Sequence, residues 1–269
     1  MSLSKTLYLS APYQTAYSIT TDNSDLEKLL RMRYGRYLTD ESEDGRQYRS
    51  VVISKYRRAF NMQCGEKLYR TRVPLRAFDS YMLKTVEFDD KVIAFHASAV
   101  ECGGKAYVFL ARSGAGKTTL CAYLTAHGFG YITEDCVLID RETLRVYPYT
   151  APLRLRPGGI TALEAAGVCL PPLKRMLEGE LFRYIYEPDN PVEKPLELGG
   201  IYFILRTLNM NAAIDMTGTT KMHQLMMSPM IPYPVDGEFL RLMTKIGSVP
   251  CRNLVYKDMN YAAEVHETA

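Results

Sequence analysis

One stretch limits the fold more than any other. Residues 105–110, KAYVFL, form a short apolar run rich in β-formers, and ARSGAGKT follows at 111–118. Residues 119–127, TLCAYLTAH, then carry apolar side chains at helical spacing. Gly128 and Gly130 stop that helix, and a second strand at 131–133 runs into Glu134 and Asp135. A strand, a tight glycine loop, a helix and another strand in this order call for layered α/β architecture.

The residue types in the loop suit a dense anion. Successive backbone N–H groups at the positive end of a helix hold a triphosphate without desolvating many side chains. Gly114 and Gly116 permit the φ angles and the close backbone approach. The expected nucleotide contacts are Ser113, Gly114, Ala115, Gly116, Lys117, Thr118 and Thr119. Lys117 would reach the β- and γ-phosphates, and the Thr118 hydroxyl would ligate Mg²⁺. Glu134 or Asp135 can hold the same metal or accept a proton, which makes Thr118, Glu134 and Asp135 the metal candidates. In the pattern G-x-x-x-x-G-K-[ST], Ala111 replaces the first glycine. An incidental Gly-Lys turn is the plain alternative, and the strand before and helix after it argue against that.

The chain has 269 residues, enough for one large domain or a main domain with a smaller companion. With 47% hydrophobic and 23% charged residues, it can form a sizeable core. A net charge of +3 gives no basis for a nucleic-acid or membrane partner. The 6 cysteines include no C-x-x-C pair, so neither a zinc module nor a disulfide framework is indicated, and reduced thiols in a cytoplasmic protein are expected. The first residues lack a charged segment followed by a long apolar one, and no run approaches the roughly 18 apolar residues of a membrane span.

Residues 1–86 read as a separate, less regular α+β part. A strand is expected at 16–20, a helix at 26–32 capped from within 22–25, a strand at 48–56 with 66–71 pairing to it, and a helix at 74–86. Nine basic residues from Arg46 to Arg76 lie close in sequence there, either as a solvated strand face or as a surface for an acidic peptide. On the second reading, 48–56 is an edge strand that accepts an extended peptide, with Arg49, Arg57 or Arg58 pairing acidic side chains. Residues 91–100 read as one strand carrying His96, and 101–105 as a hairpin turn into the strand before the loop. A strand is expected at 144–147. Alternation then puts Arg154 and Arg156 on one face of an extended segment, where two guanidiniums suit a phosphate or carboxylate, with exposure to solvent as the alternative. Further on, helices are expected at 160–166, 221–227 and 237–246, and strands at 181–186, 200–206, 211–216 and 250–256, followed by a short tail. Met222, Met226, Met227 and Met230 read as core filler.

The segments FHASAV, FLARSGAGKTTL and GFGYITEDCVLID resemble the HPr kinase/phosphorylase family and the ATP-dependent phosphoenolpyruvate carboxykinases that share its nucleotide fold. The residues carrying the resemblance are His96, the run Ser113 through Thr118, and Thr133, Glu134 and Asp135. PLRLRPG and the strand after Pro250 look like the shorter HPr-kinase-related proteins, which include lasso-peptide precursor kinases. The likeness covers 91–140 well and the C-terminal part loosely. Glu134 replaces the family's first aspartate, and the downstream glutamate–arginine–glycine signature has no counterpart. Phosphorylation of HPr itself and the reverse phosphorylase reaction are therefore not implied.

The resemblance implies an α/β fold, with a mixed sheet and P-loop in residues 87–269; it does not cover the small α+β part at 1–86, which is expected separately to dock the acceptor. It implies a kinase that uses ATP and Mg²⁺ to phosphorylate a hydroxyl, a serine of a peptide or small protein. His96, Lys117, Glu134 and Asp135 would be the catalytic group, with His96 on the metal or phosphate side. Arg154 and Arg156 would contact substrate or phosphate. Which carboxylate is the base, and whether the chain forms a homo-oligomer, stay open. A small-molecule kinase and a non-catalytic nucleotide-binding regulator are the alternatives.

Overall fold

Alternating strands and two helices build the N-terminal part. Its elements are β1 (Lys5–Ser10), β2 (Ala16–Thr21), α1 (Ser24–Tyr34), β3 (Leu38–Thr39), β4 (Arg49–Tyr56), β5 (Ala59–Cys64), β6 (Lys67–Thr71) and α2 (Pro74–Glu87). The computed structural model describes residues 4–10, 15–87, 91–178 and 181–267. The six strands run in the order β3-β1-β2-β4-β5-β6. Inward side chains at every second position, Leu7 and Leu9 on β1 and Val51 and Ile53 on β4, pack against Leu26, Leu30 and Tyr34 of α1 and Phe78 and Met82 of α2. Helix α1 starts where the Asn23 side chain accepts the Leu26 N–H at 2.8 Å, and ends at Gly35 with φ 51°. Proline opens α2, where a missing N–H costs nothing.

The chain continues through β7 (Val92–Phe95), β8 (Ala97–Cys102), β9 (Lys105–Leu110), α3 (Lys117–Ala126), β10 (Gly130–Thr133), β11 (Val137–Asp140) and β12 (Arg145–Tyr147). Next come β13 (Leu153–Leu155), α4 (Pro157–Ala165), β14 (Lys174–Glu178) and β15 (Leu181–Tyr186). The last elements are β16 (Leu196–Arg206), β17 (Ala212–Asp215), α5 (Gly218–Met226), α6 (Gly237–Ile246), β18 (Cys251–Tyr256) and α7 (Met259–Glu267). A nine-stranded sheet takes the order β10-β8-β9-β16-β12-β11-β7, and β18 pairs with both β16 and β17. Strand β16 runs parallel to β9 and β18, whereas the other pairs in this sheet are antiparallel.

Strand β9 is buried on both faces. Tyr107 and Phe109 join one core with Leu120 and Leu124 of α3, Leu163 of α4 and Met259 and Ala262 of α7. Ala106, Val108 and Leu110 join another with Leu225 of α5 and Phe239, Met243 and Ile246 of α6. This explains why KAYVFL is continuously apolar: helices cover both sides of the sheet. The three-stranded sheet β13-β15-β14 forms a seam. Its Leu153, Leu155 and Tyr186 belong to the α3 core, while Met176 and Ile185 complete the N-terminal core.

Several expectations are corrected. Residues 91–100 are two strands, because the chain bends at His96. Strand β4 lies between β2, which pairs it through residues 49–53, and β5, which pairs it through residues 51–56, so it is not the edge strand expected to accept a peptide. β6 pairs with β5 instead of with β4, and is itself a sheet edge. Arg57, with φ 53°, and Arg58 form the turn of the β4–β5 hairpin. The expected C-terminal tail is helix α7. Of the methionine cluster, Met222 and Met226 pack against a core as expected, whereas Met227 is 74% exposed.

Candidate functional site

After β9 the chain turns through residues 111–116 into α3. Gly114 and Gly116 have φ of 83° and 98°, in the left-handed region where a side chain is strained. Among the described residues the non-glycine positions with positive φ are Arg57 and Leu144, so Ala111 stands in ordinary backbone. The conformation at 111 therefore does not need the glycine that the motif usually carries there. Gly116 is the N-cap of α3 and brings no capping side chain. Lys117 is nearly buried, and its Nζ donates to the Ala111 carbonyl at 2.8 Å across the loop. Burial pushes the Lys117 pKa down, and the charges of Asp135 and Glu134 partly restore it.

The carboxylates come from a matching pair of interruptions in the nine-stranded sheet. β8 pairs with β10 on one side of the break and β7 with β11 on the other. The break contains His96 in one ribbon and residues 134–136 in the other. Ser98 Oγ donates to the Glu134 carbonyl at 2.6 Å, holding the two ribbons together. His96 Nδ1 lies 3.2 Å from both the carbonyl and Oδ1 of Asp135.

Glu134 and Asp135 face different surroundings. Glu134 is buried, with Oε1 accepting from Thr118 Oγ1 at 3.4 Å and Oε2 from the Arg154 backbone N–H at 2.8 Å. Asp135 keeps 41% of its side chain exposed, and its Oδ2 accepts from Arg154 Nη2 at 2.6 Å. Burial raises the Glu134 pKa, helped by the Asp135 charge and opposed by Arg154 and Arg33. Burial would raise Asp135 too, but the His96 hydrogen bond and the Arg154 and Arg33 charges outweigh it and hold the carboxyl well below the usual range. Two adjacent carboxyls with separated pKa values are a recurrent acid–base arrangement.

These groups line one cavity of about 820 Å³. Ser113, Gly114, Ala115, Gly116, Lys117, Thr118 and Thr119 form one side, with His96, Glu134, Asp135, Arg154 and Arg156 around it. Arg156 is exposed and precedes α4, whose N-terminus also has no side-chain cap. Gly159 lets that helix sit close, because a Cβ there would stand 2.8 Å from Thr119 Oγ1. Two helix N-termini and several guanidiniums around one space favour an anionic ligand. Thr118 and Glu134 offer hard oxygen donors close together, a donor set that fits Mg²⁺.

No family model matches this chain, and no curated protein matches it. Among solved structures it is similar to the Hpr(Ser) kinase/phosphatase from Coxiella burnetii, at 12% identity and a TM-score of 0.31. That similarity covers 65% of this chain and 91% of the other. At that score it describes neither activity nor partner for this chain.

The nucleotide-side residues expected from the sequence all lie after Lys91, whereas a second wall of the cavity comes from the N-terminal part. Arg33 of α1, and Arg76, Asp79 and Ser80 of α2, line the same cavity. Arg33 resembles any basic residue closing a helix, like its neighbour Arg31. Its burial at 6% exposure depends on packing against α2, which no local pattern carries. Met230, read as filler, and Leu205 and Arg206 at the end of β16 also reach the cavity.

Proposed function

We propose that the chain is an ATP-dependent phosphotransferase that moves the γ-phosphoryl group to a hydroxyl, a serine of a peptide or small protein. The observation that carries the reading is the approach of Thr118 Oγ1 to Glu134 Oε1 at 3.4 Å, which joins the glycine loop to the acidic pair inside one cavity. Loop amides and Lys117 hold the β- and γ-phosphates, and Lys117 offsets charge that develops on the transferred group. Thr118 and Glu134 would hold Mg²⁺, which would supply neutralisation of phosphate charge.

Asp135 is the base in this reading, because it is the more exposed carboxylate and its lowered pKa keeps it ionised, while Glu134 is buried against Thr118 and the Arg154 backbone. It takes the acceptor hydroxyl proton as the acceptor oxygen bonds to phosphorus and the bond to the β-phosphate oxygen breaks, releasing ADP. Arg154 orients Asp135, and its guanidinium would suit the anionic phosphoryl group.

Incubation with ATP·Mg²⁺ and synthetic peptides encoded beside the gene, read by mass spectrometry, tests this. One phosphoryl group should appear on a serine peptide and be absent with Asp135→Asn. A parallel screen of free hydroxy acids, amino acids and sugars separates a small-molecule kinase. Failure of the wild-type chain to bind ATP would refute the reading altogether.

A further inference from the structure

The wall built by α1 and α2 carries no part of the glycine loop, yet it contains a cation as deeply buried as Lys117. Arg33 is 6% exposed, and its Nη2 contacts Asp79 Oδ2 at 3.1 Å. The other Asp79 oxygen accepts from the Tyr34 hydroxyl at 2.8 Å, which fixes the carboxylate beside Arg33. Arg33 Nε is closed off from solvent and has no hydrogen-bond partner among the described residues. A buried guanidinium with an unused donor is costly unless something else completes it.

Arg76, Asp79, Ser80 and Leu83 recur at helical spacing, and all four line the cavity, so one face of α2 is turned toward it. Arg76 is exposed at that wall and forms no ion pair among the described residues. Around the whole cavity, arginines and Lys117 outnumber the carboxylates Asp79, Glu134 and Asp135. A nucleotide held at the N-terminus of α3 would use Lys117 and leave Arg76 without a counter-charge.

We propose that Arg33 and Arg76 form an oxyanion subsite that binds a carboxylate or phosphate carried by the acceptor, across the cavity from the glycine loop. This rests on the phosphotransferase reading above and adds the acceptor's chemistry: its hydroxyl lies on a molecule that also bears an anionic group. The planar guanidinium of Arg33, already fixed by Asp79, binds oxygen pairs with little loss of side-chain freedom. Holding the acceptor by a group remote from the hydroxyl orients it toward Asp135.

The test is calorimetric titration of the full chain, saturated with AMP-PNP and Mg²⁺, with succinate and separately with inorganic phosphate. One equivalent of anion should bind, and the stronger of the two probes distinguishes a carboxylate acceptor from a phosphorylated one. Arg33→Gln should weaken that binding tenfold or more and Arg76→Gln several-fold, while AMP-PNP affinity stays within twofold of wild type. Arg76→Gln, at an exposed position, keeps the test open if Arg33→Gln fails to fold. The proposal is overturned if the saturated protein binds neither anion, if neither variant weakens binding, or if AMP-PNP displaces succinate. Absence of AMP-PNP binding to the wild-type chain would instead refute the phosphotransferase reading. Succinate titration of the nucleotide-free protein would then decide the subsite: loss in the arginine variants supports it, and unchanged binding overturns it.

Discussion

Replacing Arg154 by methionine keeps the volume near the acidic pair and removes the charge that holds it. The Arg154 side chain is 9% exposed and contacts Asp135, which is 41% exposed, at 2.6 Å. Breaking a fully buried ion pair costs about 3–5 kcal/mol. Exposed pairs are worth about 0.2–1 kcal/mol. With one partner buried and the other half open to solvent, the expected loss is about 1–3 kcal/mol. At roughly 2–4 °C per kcal/mol for a chain of this order of size, that is a fall of several degrees in Tm. The Arg154 backbone N–H still serves Glu134, so the penalty belongs to the guanidinium.

The pH dependence has a definite sign. The folded-state pKa of Asp135 is lowered, so its contribution is present above the unfolded value of about 3.9 and is lost as pH falls toward the folded value. The penalty of Arg154→Met should therefore be full at pH 7 and shrink as the buffer is taken below about pH 4. Thermal melts of wild type, Arg154→Met, Asp135→Asn and the double variant should give a coupling of about 1–2 kcal/mol at pH 7. A coupling near zero, or a penalty unchanged by acid, would show that the pair is not what holds the site together.

Three further outcomes follow from the same geometry. Lys117→Met removes the cation that spans the loop, so ATP affinity should fall tenfold or more and phosphoryl transfer should vanish; wild-type affinity by calorimetry would rule out the loop assignment. Gly158 meets nothing within 4 Å of an added Cβ, so Gly158→Ala should stabilise by about 0.4–1 kcal/mol. Gly159→Ala must push the Thr119 hydroxyl aside at a rotamer cost of about 0.5–1.5 kcal/mol, so its Tm should rank below that of Gly158→Ala; equal values would mean that α3 and α4 do not meet there. Burial pushes the Cys64 thiol up to about 11, leaving little thiolate at pH 8, whereas Cys169 is exposed. Iodoacetamide followed by peptide mapping should label Cys169 first and Cys64 only on unfolding; early labelling of Cys64 would contradict its burial.

Much of the C-terminal part was legible because its signals are local. KAYVFL, the positive-φ glycines and the helix after them obey rules that act within a few residues. Gly103 and Gly104, at φ 58° and 78°, turn β8 into β9 as the sequence predicts. The break at His96 was not legible, because apolar alternation continues through it and the interruption depends on pairing with residues 134–136. Strand order in the N-terminal sheet was misread for a similar reason. Ala59–Cys64 is half-buried and carries polar residues, so its place between β4 and β6 follows from pairing rather than pattern. Of the site, Lys117, Thr118, Glu134, Asp135 and Arg154 line one cavity; alternation left Arg154 between site and solvent, and Arg33 required the tertiary structure.

The seam sheet has a consequence for synthesis. As the chain leaves the ribosome, β1 to α2 emerge first, and Met176 and Ile185, which belong to their core, come about a hundred residues later. Until then the apolar face beneath the seam has no cover from its own chain. A nascent chain stalled before β14 would hold the N-terminal core without two of its apolar side chains, and incompletely covered apolar surface is the condition in which chaperones bind and aggregation begins. Expression of residues 1–86 alone would make that state permanent, and its solubility should fall below that of the full chain.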